Sequence, residues 1–167
     1  NTFGNIWMKT INLPDGVYYY DFLVDGQIIT DPANPKTVPN DKGSYYSLIT
    51  VGNYTLPTGK LGSGIIHKNY IHFDQNSFEY LDPASTKTIY FSFETLHDDV
   101  DSATLDVNGS MYSMKRIVMN QYTDIFRSEF HPTSTSFNYK FLLQNGTTKV
   151  EIGSSGIATS SNFFFFD

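Results

Sequence analysis

"LPDGVYYYDFLVDGQIITDPANP", from Leu13 to Pro35, decides the fold of this chain. From Val17 to Asp25 its side chains alternate. Tyr18, Tyr20, Phe22 and Val24 fall on one face and Tyr19, Asp21 and Leu23 on the other, the period of two that a pleated strand imposes. Asp25-Gly26 then turns the chain, because glycine tolerates the positive φ that a tight hairpin requires. Gln27 to Thr30 makes the return strand. Asp31-Pro32-Ala33-Asn34-Pro35 ends it, since neither proline has an N–H to give to a ladder. The Tyr18 face is expected to meet the core, which leaves Tyr19 turned away from it.

Nearly the same pattern returns as "FNYKFLLQNGTTKV" from Phe137 to Val150, where Tyr139-Lys140-Phe141-Leu142 precedes an Asn145-Gly146 turn. Both are read as core hairpins of two domains of one type in tandem. Between them, Tyr45 to Val51, Thr88 to Thr95, Ser102 to Val107, Ser110 to Ile117 and Asp124 to Phe130 are further strand segments, with Asn108-Gly109 as another turn. No segment holds a helical period of apolar residues. A strand and turn about every ten residues marks an antiparallel sandwich. The expected fold is all-β: two immunoglobulin-like antiparallel β-sandwiches, residues 1–52 and 65–167, joined by a glycine-rich linker at 53–64. The second has the roughly 100 residues of a full sandwich. The first is too short for one and is expected to be incomplete at its N-terminus, exposing sheet edges and depending on neighbours for stability.

Composition agrees with sheets. Aromatic residues make up 16% of the 167, with 12 Tyr and 14 Phe against one Trp, and large rings pack well across pleated strands. A net charge of -6 argues against nucleic acid or an anionic membrane surface as partner, since both need clustered Lys and Arg. No apolar run is long enough to span a bilayer. The absence of cysteine excludes disulfides and thiolate metal sites and leaves the compartment open, with the cytoplasm favoured. The chain begins at Asn1 without a signal-peptide pattern, so a piece of a longer protein is expected.

Trp7, the Leu13-Pro14-Asp15-Gly16 turn, the tyrosine-rich hairpin, Asp31-Pro32, Asn34-Pro35 and the closing "SYYSLITV" of Ser44 to Val51 resemble the later half of a family 48 carbohydrate-binding module. That group includes the glycogen-binding domain of the AMP-activated protein kinase β subunit and N-terminal domains of branching and debranching enzymes. From Ile65 onward, "IIHKNYIHFDQNSFEYLDP", "TIYFSFETLHDDVDSATLDVNG", "DIFRSEF", "FNYKFLLQNG" and the final "FFFFD" are similar, in that order, to the family 34 module of neopullulanases, cyclomaltodextrinases and maltogenic amylases. The resemblance implies the non-catalytic front of an α-glucan-hydrolysing enzyme of glycoside hydrolase family 13. A catalytic barrel would follow Asp167, and a homodimer contact would narrow the active-site cleft.

Sugar rings present apolar C–H faces between hydroxyls, so a sugar site needs flat aromatic faces and a few polar groups. Tyr19, Tyr45 and Tyr46 are the candidate stacking residues; tyrosines decorating a sheet are the plainer reading. The resemblance maps glycogen-binding positions onto Asp21 in place of Lys, Ile28 in place of Trp, Ser44 in place of Thr and Tyr46 in place of Asn. An ammonium donor and one ring are therefore replaced. Trp7 is read as packing over the sheet edge. His67, His72, His97 and His131 show no metal-ligand spacing, and "HDDVD" at His97 to Asp101 lacks the alternating ligands and central glycine of a calcium loop, so it reads as a solvated turn. No cofactor and no metal are expected. No pair of carboxylates lies in a glycosidase motif. Asn53-Tyr54-Thr55, Asn108-Gly109-Ser110 and Asn145-Gly146-Thr147 match glycosylation acceptors, the latter two better explained as turns. Two other readings stand beside this one: a stand-alone glycogen- or starch-targeting module, and an Ig-like structural pair without sugar chemistry.

Overall fold

A computed structural model of the chain describes residues 2–3, 6–34, 37–39, 45–53, 57–85, 87–118 and 121–167. It divides into two compact units, Asn1–Leu56 and Pro57–Asp167. The described residues are all-β apart from one turn of 3₁₀-helix at Lys68–Tyr70, and no helix among them is long and apolar enough to cross a membrane.

In the first unit, β1 (Thr2–Phe3) and β2 (Ile6–Trp7) form a ladder of their own. β3 (Gly16–Tyr20), β6 (Thr37–Pro39) and β7 (Tyr45–Val51) form a three-stranded sheet in the order β3-β7-β6, and among the described residues β4 (Phe22–Val24) pairs only with β5 (Gln27–Ile29). The single strand expected from Val17 to Asp25 is thus broken at Asp21. The Asp25-Gly26 turn has both residues at positive φ, 50° and 79°, the geometry that twists two strands in the sense of the sheet.

The first hairpin is not a core hairpin. Phe22, Leu23, Val24, Ile28 and Ile29 are all exposed, and Leu48 on β7 is the one buried hydrophobic residue of this unit among those described. Leu48 pairs with Tyr19, and Ser47, also buried, pairs with Tyr20. Tyr18, Tyr19 and Tyr20 are all half-buried, so the expected division into a Tyr18–Tyr20 core face and an outward Tyr19 face is not found among the described residues. Trp7 does not pack over the sheet edge either: it is 86% exposed, and among the described residues its two-residue strand pairs with β1 alone.

The second unit is a sandwich. β8 (Leu81–Ser85), β9 (Thr88–Leu96), β12 (Lys115–Val118) and β13 (Thr123–Phe130) form one sheet in the order β12-β13-β9-β8. The other contains β10 (Ser102–Val107), β11 (Ser110–Ser113), β14 (Phe137–Asn145), β15 (Thr148–Gly153) and β16 (Gly156–Ala158) in the order β11-β10-β14-β15-β16, with β17 (Phe164–Phe166) beside β14. Alternation on β14 turns Phe137, Tyr139, Phe141 and Leu143 inward, against Phe91 and Phe93 of β9. Phe93 lies 5.4 Å from both Phe126 and Phe141, and Phe91 4.9 Å from Tyr139. Such ring pairs each add about 0.5–1.5 kcal/mol to area burial.

The last hairpin differs from its sequence reading. Asn145 pairs with Thr148, so Gly146 and Thr147 make the turn, and Asn145 is wholly buried. Its amide nitrogen donates to the Lys60 and Asp99 carbonyls, and its oxygen accepts the Gly64 N–H. Asp101 accepts the N–H groups of Gly62 and Gly146, and the Thr148 hydroxyl donates to the Gly64 carbonyl. A Cβ on Gly59 would lie 2.2 Å from the His97 carbonyl oxygen. Residues 59–64 therefore form a strap fastened onto the second unit, in a stretch whose glycines suggest a free linker.

Candidate functional site

Alternation along β7 places Tyr46 and Leu48 on one face and Tyr45, Ser47 and Ile49 on the other. Tyr46 lies diagonally across from Tyr19, and their rings are nearly parallel, 15° apart with centroids separated by 6.1 Å. Both are half-buried. Of the candidate sugar-contacting residues, the structure brings these two together. Tyr45 is exposed but on the opposite face of β7. Ile28, 74% exposed, stands on the separate β4–β5 hairpin, and Asp21 sits at the break between β3 and β4 with one carboxylate oxygen buried and without a hydrogen-bond partner among the described residues. Ser44 lies outside the described residues.

The Asp-Pro segment holds this sheet from its other face. Asp31 accepts a hydrogen bond from the Tyr20 hydroxyl at 2.7 Å and from the Ala33 N–H at 2.9 Å, and its own N–H donates to the Ser47 hydroxyl at 2.7 Å. The Asn34 amide donates to the Tyr20 oxygen and to the Leu48 carbonyl. Strand β3, strand β7 and the Asp31–Asn34 turn are thus tied together beside the ring pair. The Tyr20 bond holds the Asp31 carboxyl below its ordinary range, and the same bond raises the Tyr20 hydroxyl. Only the prolines of this segment were legible as a stop; that Asp31 and Asn34 act as a clamp on Tyr20 follows from no spacing rule.

The "HDDVD" segment is no solvated turn. Asp99, fully buried, accepts from the His67 N–H and lies 2.6 Å from His67 Nδ1. Asp124, also buried, accepts from Arg116 at 2.8 Å and from the Asp98 N–H, and meets His97 Nδ1 at 2.9 Å. Arg116 also bonds to Asp98 and holds its carboxyl below the usual range. Atoms of His97, Asp98 and Asp124 lie within 4.8 Å of one another, but the Arg116 guanidinium already engages both carboxylates. The cluster is an ion-pair knot that secures the β9–β10 turn. His97, which lacks metal spacing in sequence, finds Asp124 here because β9–β13 pairing sets residue 124 opposite Thr95.

Comparisons with known proteins bear on both units. Residues 2–56 match the family model for the glycogen recognition site of AMP-activated protein kinase. No curated protein matches this sequence at a significant level. Among 27 matching solved chains, the type III pullulan hydrolase from Thermococcus kodakarensis is 28% identical over 59% of this chain and 16% of its own, with a TM-score of 0.47. A cyclomaltodextrinase is 15% identical over 59% of this chain and 19% of its own, TM-score 0.53. The maltogenic amylase from S. marinus is 16% identical over 94% of this chain and 22% of its own, TM-score 0.54. The last two establish a likeness of fold. The chain spans about a fifth of the length of either protein.

Proposed function

We propose that the chain is a pair of non-catalytic β-modules, a family 48-like one followed by a family 34-like one, belonging to an enzyme that hydrolyses α-glucans. In this reading the first module contacts an α-glucan chain through Tyr19 and Tyr46, and the catalytic groups lie on a barrel beyond Asp167. The observation that carries the reading is the near-parallel Tyr19–Tyr46 pair inside the segment that matches a glycogen recognition model. Two rings at this angle offer neighbouring glucose units apolar faces of similar orientation. Asp21 stands where the resembled family has a cationic donor, and with one oxygen buried only its other carboxylate oxygen would accept from a sugar hydroxyl. Retention on immobilised glycogen tests this directly: the wild-type chain is retarded in an affinity gel, Tyr46→Ala migrates as on plain gel, and equal migration of both overturns the assignment.

A second role is favoured by a specific observation. Trp7, Met8, Ile11, Leu23 and Ile28 are all more than 60% exposed, an excess of exposed large apolar side chains for so short a segment, and exposed apolar surface is a mark of association with protein. Packing against the parent enzyme's barrel or a second subunit would use this surface, alongside sugar contact on the tyrosine face.

A further inference from the structure

The second unit carries a cleft of about 670 Å³ between the end of β8 and the 132–135 segment, within the roughly 300–1,000 Å³ of small-ligand sites. Its lining includes the apolar Ile89 and Phe166 and the hydroxyl-bearing Ser85, Thr133, Ser134 and Thr135. We propose that this cleft is a second carbohydrate site, taking a short neutral oligosaccharide; its α-linkage rests on the function proposed above, the site itself does not.

Three observations select that chemistry. Among the described residues no charged side chain lines the cleft, which disfavours phosphorylated or ionic ligands. Phe166 stacks on buried Phe137 at 4.9 Å and 10°, so one ring face is fixed against the core while the partly exposed residue borders the cleft with the rest of its surface. The hydroxyls also remain available. Ser85 and Ser134 each accept a backbone N–H two residues on, leaving their own protons to donate. The side chains of Thr133 and Thr135 make no hydrogen bond among the described residues. An aromatic residue and several uncommitted hydroxyls lining one cleft match a neutral sugar. An extended peptide fits less well, because β8 is an edge strand whose Pro83 has no N–H to donate and whose register shifts between Asp82 and Ser85.

The test is a titration of the ¹⁵N-labelled chain with maltotriose, with cellotriose and an acetylated uncharged Pro-Ser peptide in parallel. Saturable amide shifts at 85, 88–89 and 133–136 with maltotriose are expected. In Thr133→Val/Thr135→Val, two exposed substitutions, Kd at these amides rises at least tenfold while shifts at 18–20 and 45–48 persist. Maltotriose shifts confined to 18–20 and 45–48 overturn the second site and leave the tyrosine site standing. Shifts confined to the cleft uphold the second site and count against the tyrosine site. An equal response to cellotriose overturns the α-linkage, and a response to the peptide alone overturns the sugar assignment.

Discussion

Asp31 shows how one side chain organises a local fold. Its carboxylate joins Tyr20 to the Ala33 backbone while its N–H engages Ser47. Its folded-state affinity for protons is lowered by the Tyr20 bond, so its contribution is present above the unfolded carboxyl value of about 3.9 and is lost as pH falls through the lowered one. The Tyr20 ring resonances are expected to move in that acid window and to lose that step in Asp31→Asn; an unchanged step would remove Asp31 as the cause. Tyr139 is the opposite case. Its hydroxyl is buried without a partner among the described residues, and burial pushes its ionisation upward. An unsatisfied buried hydroxyl costs roughly 1–3 kcal/mol, so Tyr139→Phe is expected to raise the thermal midpoint. A lower midpoint would mean the hydroxyl has a partner.

Among the elements, the hairpin turns were the most legible. Asp25-Gly26 and Asn108-Gly109 both adopt positive φ at both residues, and few residue pairs do so without strain. Strand alternation on β9, β13 and β14 was equally plain, because one face of each meets a core. What alternation could not reveal is the break at Asp21: on β4 both faces are exposed, so burial does not fix the face or the register. The tyrosine pair was legible as candidates, whereas Tyr45 fell away once β7 faces were assigned. The 59–64 strap escaped for a related reason. Its glycines read as freedom, yet Gly59 is needed because backbone lies where its Cβ would be. Gly59→Ala is expected to release the strap and speed tryptic cleavage after Lys60 several-fold; an unchanged rate would show that the strap tolerates the methyl group. Asn145→Ala leaves the Lys60 and Asp99 carbonyls and the Gly64 N–H without its amide, at about 1–3 kcal/mol for each group left unsatisfied, read as a lower denaturant midpoint.

At the scale of the whole molecule, the two units differ in how much apolar surface they bury. The second closes a core from Ile71 to Ile152, whereas the first buries Leu48 and exposes Trp7, Ile11, Leu23 and Ile28. Amide exchange is expected to follow that contrast. Protection on β9, β13 and β14 should approach the global limit, and β3, β6 and β7 should exchange through much cheaper openings. Uniform protection would mean that the first unit draws stability from contacts beyond its own core. Phe141→Ala, at the centre of the second core, is expected to cost about 3–5 kcal/mol.

The most direct test of the central claim is isothermal titration of the chain with maltoheptaose and β-cyclodextrin, repeated on Tyr46→Ala. Saturable binding that weakens at least tenfold in the variant is the predicted result. No binding at millimolar ligand, or equal binding by both proteins, would contradict a sugar role for the Tyr19–Tyr46 pair.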